Sequence, residues 1–399
     1  MRYARQVVSL GLCCALALGS ATAVAAKDPR DPGWTQFHGS WTRAGLDAYE
    51  TILGPQNVGG LTASWRAELG QTLSGSPVIS MGRVFVGGWD GTLYALRASD
   101  GRRLWSRAAG AQNASTPALW RNLVIIGAGG WDGSRLAAFN AASGAPRWTT
   151  AVAGDISLSP ATVAGDSVFV ANQDGLVSAY SAGTGARRWS TRTTTAPWTG
   201  IAGPLAVSTD RSLVIAAGAD GWLYALRADT GDLEWKARAG GGVYRGGPAV
   251  SGGIVYVPNG RIQPEGSGFT VSAFNLANGV KRWTAADVGD DVHMTPAVGD
   301  ARVYIGAIDG SVHAIDARTG KLRWIADLVH EIWSSPALAN GVLYIATESS
   351  LVALDASTGA ALYSDDLDTG GSAEMTSPAI ADGRIYVGSG NSLMAFGLP

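Results

Sequence analysis

The chain has 399 residues, a net charge of −2, 16% charged residues, 55 glycines and 15 tryptophans. So mild an acidic balance excludes a nucleic-acid binder that works by bulk positive charge. The excess of Gly and Trp calls for a search for internal repeats before any other reading.

The first 26 residues read as a secretory signal. Arg2 and Arg5 form a positive start, an apolar run extends from Val7 to about Leu18, and Ala23-Val24-Ala25 supplies a small-residue cleavage site. The run is too short to span a bilayer well, and no later stretch of about 20 apolar residues follows. Both cysteines, Cys13 and Cys14, fall inside this segment, and Leu12 before Cys13 is a poor context for lipid attachment. Removing the two arginines with no acid takes the charge from −2 to −4. The expected mature protein is therefore exported and free of disulfides, and it relies on packing; about 370 residues suffice for a large core.

Residues 27–56 read as an N-terminal extension, and residues 57–399 as one repeat array. Its phrase is a Pro after a small residue, an apolar run, a Gly turn, a second apolar run, an Asp-Gly, a third apolar run, another Gly turn, then Trp. Pro77, Pro117, Pro160, Pro204, Pro248, Pro296, Pro336 and Pro378 mark eight copies at spacings of 40 to 48 residues. The closing aromatics are Trp105, Trp148, Trp189, Trp235, Trp283, Trp324 and Tyr363. Each copy holds four strand-length runs separated by turn signals. The third run, such as Leu223-Tyr224-Ala225-Leu226, is apolar throughout because both its faces are covered. The fourth is short and charged and is expected to end at its Trp. Four strands per copy, arranged around an axis, predict an all-β, eight-bladed propeller of four-stranded antiparallel blades. The last copy stops after its third run, Leu393-Met394-Ala395-Phe396, while an orphan fourth run, Leu61–Trp65, precedes the first copy. Pairing strand 61–65 with the C-terminal blade closes the ring and removes its free edge.

Ala353-Leu354-Asp355-Ala356-Ser357-Thr358-Gly359 and its relatives at 314–320 and 225–231 resemble the repeat of pyrroloquinoline-quinone (PQQ) dehydrogenases. The same repeat occurs in non-catalytic propellers such as the outer-membrane assembly factor BamB. Trp34-Thr35-Gln36-Phe37-His38-Gly39 is similar to the opening phrase of secreted members. The resemblance covers nearly all of the expected mature chain and implies the fold; it does not fix the activity. The chain lacks the vicinal cysteine pair of the methanol-dehydrogenase-like enzymes outside its first 26 residues, and it has no C-x-x-C-H haem motif.

Strand order sends the interblade links and second-to-third-strand turns to one end of the ring, here the entry face. The remaining turns form the turn face. Asp90, Asp132, Asp174, Asp220, Asp309 and Glu348 occupy the entry-face turns; the links add Asp155, Asp290, Asp291, Glu331, Asp365, Asp366 and Glu374. Arginines and lysines gather toward the turn face. Trp89 and Trp131 precede their Asp-Gly turns, and Trp198, Tyr244, Arg245, His293 and Trp333 lie just before Pro anchors. Arg261 sits in the longest insertion, and His330 adjoins Glu331. Aromatics beside acids suit a protein anchor, a cationic group or a sugar; Asp-Gly is also ordinary turn chemistry. The expectation is an exported, monomeric binding or scaffold propeller that presents its entry face to a protein or cell-envelope component. No catalytic group, metal or cofactor is assigned. The alternatives are a quinoprotein dehydrogenase holding PQQ with calcium, and a carbohydrate-binding propeller.

Overall fold

The computed structural model describes residues 33–399 except 111, 113, 130–132, 195–199, 202, 244, 260–268, 286–287, 290–293 and 368–375. The signal segment, the start of the extension, and Trp131, Asp132, Trp198, Tyr244, Arg261, His293 and Glu374 lie outside the described residues.

Eight antiparallel sheets form an eight-bladed propeller, as the repeat implies. Blade 1 is typical: Val78–Ser80 is innermost, followed outward by Arg83–Gly87, Thr92–Arg97 and Arg103–Ala108. The middle strands are buried on both faces, whereas outer strands such as Arg187–Arg192 alternate between exposed and covered residues. Outer strands continue past their Trp instead of ending there, so Trp105 lies third in a six-residue strand. A bulge just before each of these aromatics shifts the register and turns the ring into the blade-to-blade gap. Asp365 and Asp366, expected in a link, close the outer strand Ala361–Asp366 of blade 7.

Each indole then does the same thing. Trp65, Trp105, Trp148, Trp189, Trp235, Trp283 and Trp324 donate Nε1–H, at 2.9–3.3 Å, to a carbonyl in a third-to-fourth-strand turn of the next blade. Each also lies flat on that turn's glycine: a Cβ at Gly101, Gly144, Gly185, Gly231, Gly279, Gly320 or Gly359 would come within 2.5–2.7 Å of the ring. These glycines have φ between +68° and +80°, so both the backbone and the contact exclude a side chain.

The ring closes through blade 8, built from Ala379–Ala381, Arg384–Ser389, Ser392–Gly397 and the N-terminal strand Thr62–Glu68. The pairing runs from Thr62↔Gly397 to Glu68↔Ser392, three residues beyond the expected end at Trp65. Leu61 instead follows a 3-10 turn, Val58–Gly60. The closing strand carries the same bulge, between Ala63 and Trp65, and Trp65 reaches blade 1 as its counterparts reach their neighbours. Tyr363 replaces Trp at the one junction where the next blade's third and fourth strands are not joined by a turn. There the Val58–Gly60 turn packs against the outer strand of blade 7, and the Tyr363 hydroxyl donates to Asp365 instead.

A belt of hydroxyls just before the Pro anchors adds a second set of blade-to-blade bonds. The amides of Ser76, Gly247, Thr295, Ser335 and Ser377 donate to the side chains of Thr116, Thr295, Ser335, Ser377 and Ser76 respectively, at 2.8–3.1 Å. The Ser377-to-Ser76 bond crosses the closure.

Trp65→Ala is expected to lower the free energy of unfolding by about 3–5 kcal/mol, since it empties the closing junction. Tyr363→Phe removes only a partly exposed hydroxyl bond and is expected to cost under about 1 kcal/mol. Denaturant unfolding of both variants checks the contrast.

Candidate functional site

The entry-face aspartates are first of all turn supports. Asp90, Asp220 and Asp309 each accept, through Oδ1, the amide two residues on, at 2.9–3.0 Å. Asp90 and Asp220 also take the hydroxyls of Tyr94 and Tyr224 from the following strand. Burial and the Asp220 carboxylate together push the Tyr224 hydroxyl well above the usual phenol range. In blade 3, Asn172 supports the turn, which leaves Asp174 exposed at its tip.

The structure brings together one group of the sequence candidates, at the junction of blades 6 and 7. His330 Nδ1 lies 3.5 Å from Glu348 Oε1, and Trp333 donates Nε1–H to Glu331 at 2.8 Å. The Glu348 amide donates to the Glu331 carbonyl, tying link to turn. Asp309 stands next door, because the His330 carbonyl is 2.9 Å from where a Gly310 Cβ would be. Below it, Ser311 Oγ bridges Asp309 and the buried His313 Nε2. Desolvation pulls His313 below its ordinary range. Trp89 and Asp90 on blade 1, Asp174 and Asp220 on blades 3 and 4, and exposed Arg245 in the link to blade 5 are spread around the same face. Among the described residues no group of three or more His, Cys, Asp and Glu could hold a metal ion.

Sequence reasoning missed what fills the axis. The innermost strand of every blade has an unpaired edge, and the N-terminal segment satisfies these edges one after another. The carbonyls of Trp34 and Thr35 accept the amides of Ile79 and Leu119, and Gln36 Oε1 accepts that of Val163. The carbonyls of Trp41, Thr42, Ala44 and Gly45 then accept Val207, Val250, Val298 and Leu338, all at 2.7–2.9 Å across these seven bonds. These are equivalent positions in seven successive blades. Leu46–Asp47 next adds a parallel fifth strand to blade 7, and Glu50 reaches the Gly383 amide of blade 8. Gln36 and His38 lie in the opening phrase noted above, but neither they nor Arg43 carry a repeat signal that would place them on the axis.

Two buried groups lock this segment. The Arg43 guanidinium donates to the carbonyls of Leu205, Phe37 and Ala161 and to Thr162 Oγ1, and burial lowers its pKa to about 9. His38 lies with Nδ1 2.7 Å from the Arg43 carbonyl and Nε2 2.7 Å from the Pro336 carbonyl. Burial outweighs these two carbonyls and pushes its pKa down to about 4. A cavity of about 790 Å³ opens beside the same segment, lined by Asp47, Tyr49, Tyr256, Asp300 and Arg318. It belongs to the turn face, opposite the sequence candidates.

A bound PQQ, with three carboxylates, would need cations facing it. The fully buried guanidinium of Arg43 is spent on four acceptors of its own chain. Arg43 therefore offers no free cation to the quinone.

A family model described as "Outer membrane protein assembly factor BamB" matches residues 62–130, 124–261, 173–328 and 267–397, which together span the blades. The chain belongs to this family. The BamB of Moranella endobia is 25% identical over 292 residues, 71% of this chain and 64% of that relative, so the chain spans less than two thirds of the relative's length. The crystal structure of BamB from Moraxella catarrhalis superposes with a TM-score of 0.67 at 19% identity, covering 84% of this chain and 99% of that one. A quinohemoprotein alcohol dehydrogenase of Pseudomonas putida HK5 superposes with a TM-score of 0.71 at 16% identity, covering 92% and 80%. At such identities both structures show a shared fold.

The His38 pKa sets a pH dependence. Between pH 6.5 and 4 the unfolded chain takes up a proton that the folded chain refuses. The contribution of neutral His38 is thus complete above 6.5 and is lost as pH falls toward 4, by about 3 kcal/mol. Urea midpoints of wild type and His38→Gln at pH 7 and pH 4 check this: the wild type is expected to lose more stability over the interval.

Proposed function

We propose that this protein is an exported binding propeller of the cell envelope, whose entry face receives a protein of the outer-membrane assembly process. The observation that carries the reading is the family match across all the blades, which brings the role named for the family's members. The geometry supports it. Indole–glycine contacts and the axial segment make a rigid ring, and rigid rings suit presentation of surface loops. Trp89 at 42% exposure and the Asp309–His330–Glu331–Trp333–Glu348 cluster give that face aromatic anchors rimmed by acids. Such a surface suits a partner segment carrying lysines or arginines, whose encounter is fastest at low salt. The signal-like first 26 residues agree with export.

A photo-reactive residue placed at Trp89 or Trp333, in protein mixed with solubilised outer membranes, is expected to capture outer-membrane assembly proteins. With the photo-reactive residue at Trp89, the paired change Glu348→Gln/Trp333→Ala is expected to weaken that capture at least about ten-fold. Capture only from a turn-face position such as Arg318, untouched by the paired change, would overturn the assignment of the face.

A further inference from the structure

The outer strands of a propeller are its free sheet edges, and most edges here are guarded. The residue after the bulged aromatic points away from the interblade gap. It is Ser106, Thr149, Ser190, Lys236, Thr284 and Ser364 in blades 1 to 5 and 7, and Arg66 in the closing strand. Of these, the charged Lys236 and Arg66 discourage edge-to-edge pairing, and the others offer no apolar surface to a second strand. Blade 6 departs from the pattern. Its outer strand, Leu322–Asp327, carries Ile325 there at 53% exposure, beside Leu322 at 53%, which has exposed counterparts in Leu104 and Leu233. Just beyond the strand stands Val329, 82% exposed and held at φ +70°, a conformation that β-branched residues rarely adopt.

The same strand is self-complementary. Two copies of one strand can pair antiparallel around a two-fold axis only in registers whose paired residue numbers sum to an even value, because opposed residues must be of the same hydrogen-bonding kind. With Ile325 on the axis, Ile325 meets Ile325 of the second copy, and Arg323, the extra residue of the bulge, lies toward Asp327. Arg323, Ile325 and Asp327 are all exposed, so the apolar pair and both ion pairs fall on one face. The Arg323 guanidinium contacts Asp316 in its own blade through Nη2 while its side chain stays 54% exposed, which leaves room for a second carboxylate. Like charges meet on three other edges: centred on the residue after its aromatic, blade 4 would set Lys236 against Lys236, blade 3 would set Arg188 against Arg192, and the closing strand would set Arg66 against Arg66.

We propose that the outer edge of blade 6 docks a second copy of this chain, forming a two-fold antiparallel dimer through Arg323–Asp327. A ladder this short buries less than the roughly 1,200 Å² of a standard stable interface, so the dimer forms in a concentration-dependent way. The proposal is independent of the entry-face reading, because it uses a different surface.

Charge complementation tests it by sedimentation velocity on the full chain at increasing concentration. Asp327→Lys alone sets an ammonium group against Arg323 of the second copy, and Arg323→Glu alone sets a carboxylate against Asp327; each is expected to remain monomeric. Their equimolar mixture re-creates both opposite-charge pairs and is expected to dimerise as the wild type does. Ile325→Lys, which puts two ammonium groups on the axis, is expected to weaken the dimer at least about ten-fold. Melting curves establish that each variant keeps its ring. A wild type that stays monomeric up to about 1 mM, where weak pairings are populated, would overturn the proposal. So would a dimer indifferent to these charges, or variants that fail to complement one another.

Discussion

Eight sheets that each pack only on two neighbours have no shared core, so their cohesion rests on how the ring's junctions are made. Here one contact is repeated: an indole laid on a glycine of the next blade, with its N–H on that turn's carbonyl. The contact joins apolar burial, a satisfied donor and a backbone that only glycine tolerates at low cost. Its seventh instance, through Trp65, depends on a strand from the opposite end of the chain. The geometry of the whole ring therefore depends on residues that precede its first blade.

The N-terminal segment has a second duty that the repeat alone cannot perform. A propeller's innermost strands present unpaired amides toward the axis, and leaving them without partners inside the protein would cost about 1–3 kcal/mol each. Residues 34–45 meet seven of these amides in blade order, and Arg43 and His38 fix the segment's path by spending their own polar atoms on carbonyls. The axis is thus occupied by chain.

How much could be read from the sequence follows from repetition. The prolines, the Asp-Gly turns and the Trp-ended runs recur around the ring, so they reveal blade number, strand count and the closing partner even though each copy is a weak signal. Single-copy features leave no such trace. Gln36, His38 and Arg43 look like ordinary polar residues of an extension until the fold wraps seven strand edges around them. The entry-face aspartates were visible for a reason that weakens their use as functional markers: Asp90, Asp220 and Asp309 are wanted by their turns. What the structure adds is that the link holding His330, Glu331 and Trp333 is tied to the Glu348 turn of the next blade, which a linear reading left unjoined.

Residue-resolved hydrogen exchange tests most directly the claim that the N-terminal segment is structural mortar. The account predicts that the amides of Ile79, Leu119, Val163, Val207, Val250, Val298 and Leu338 are strongly protected and open together with those of the closing strand, in one cooperative step. Rapid exchange at those seven amides while the middle strands of the blades stay protected would contradict it.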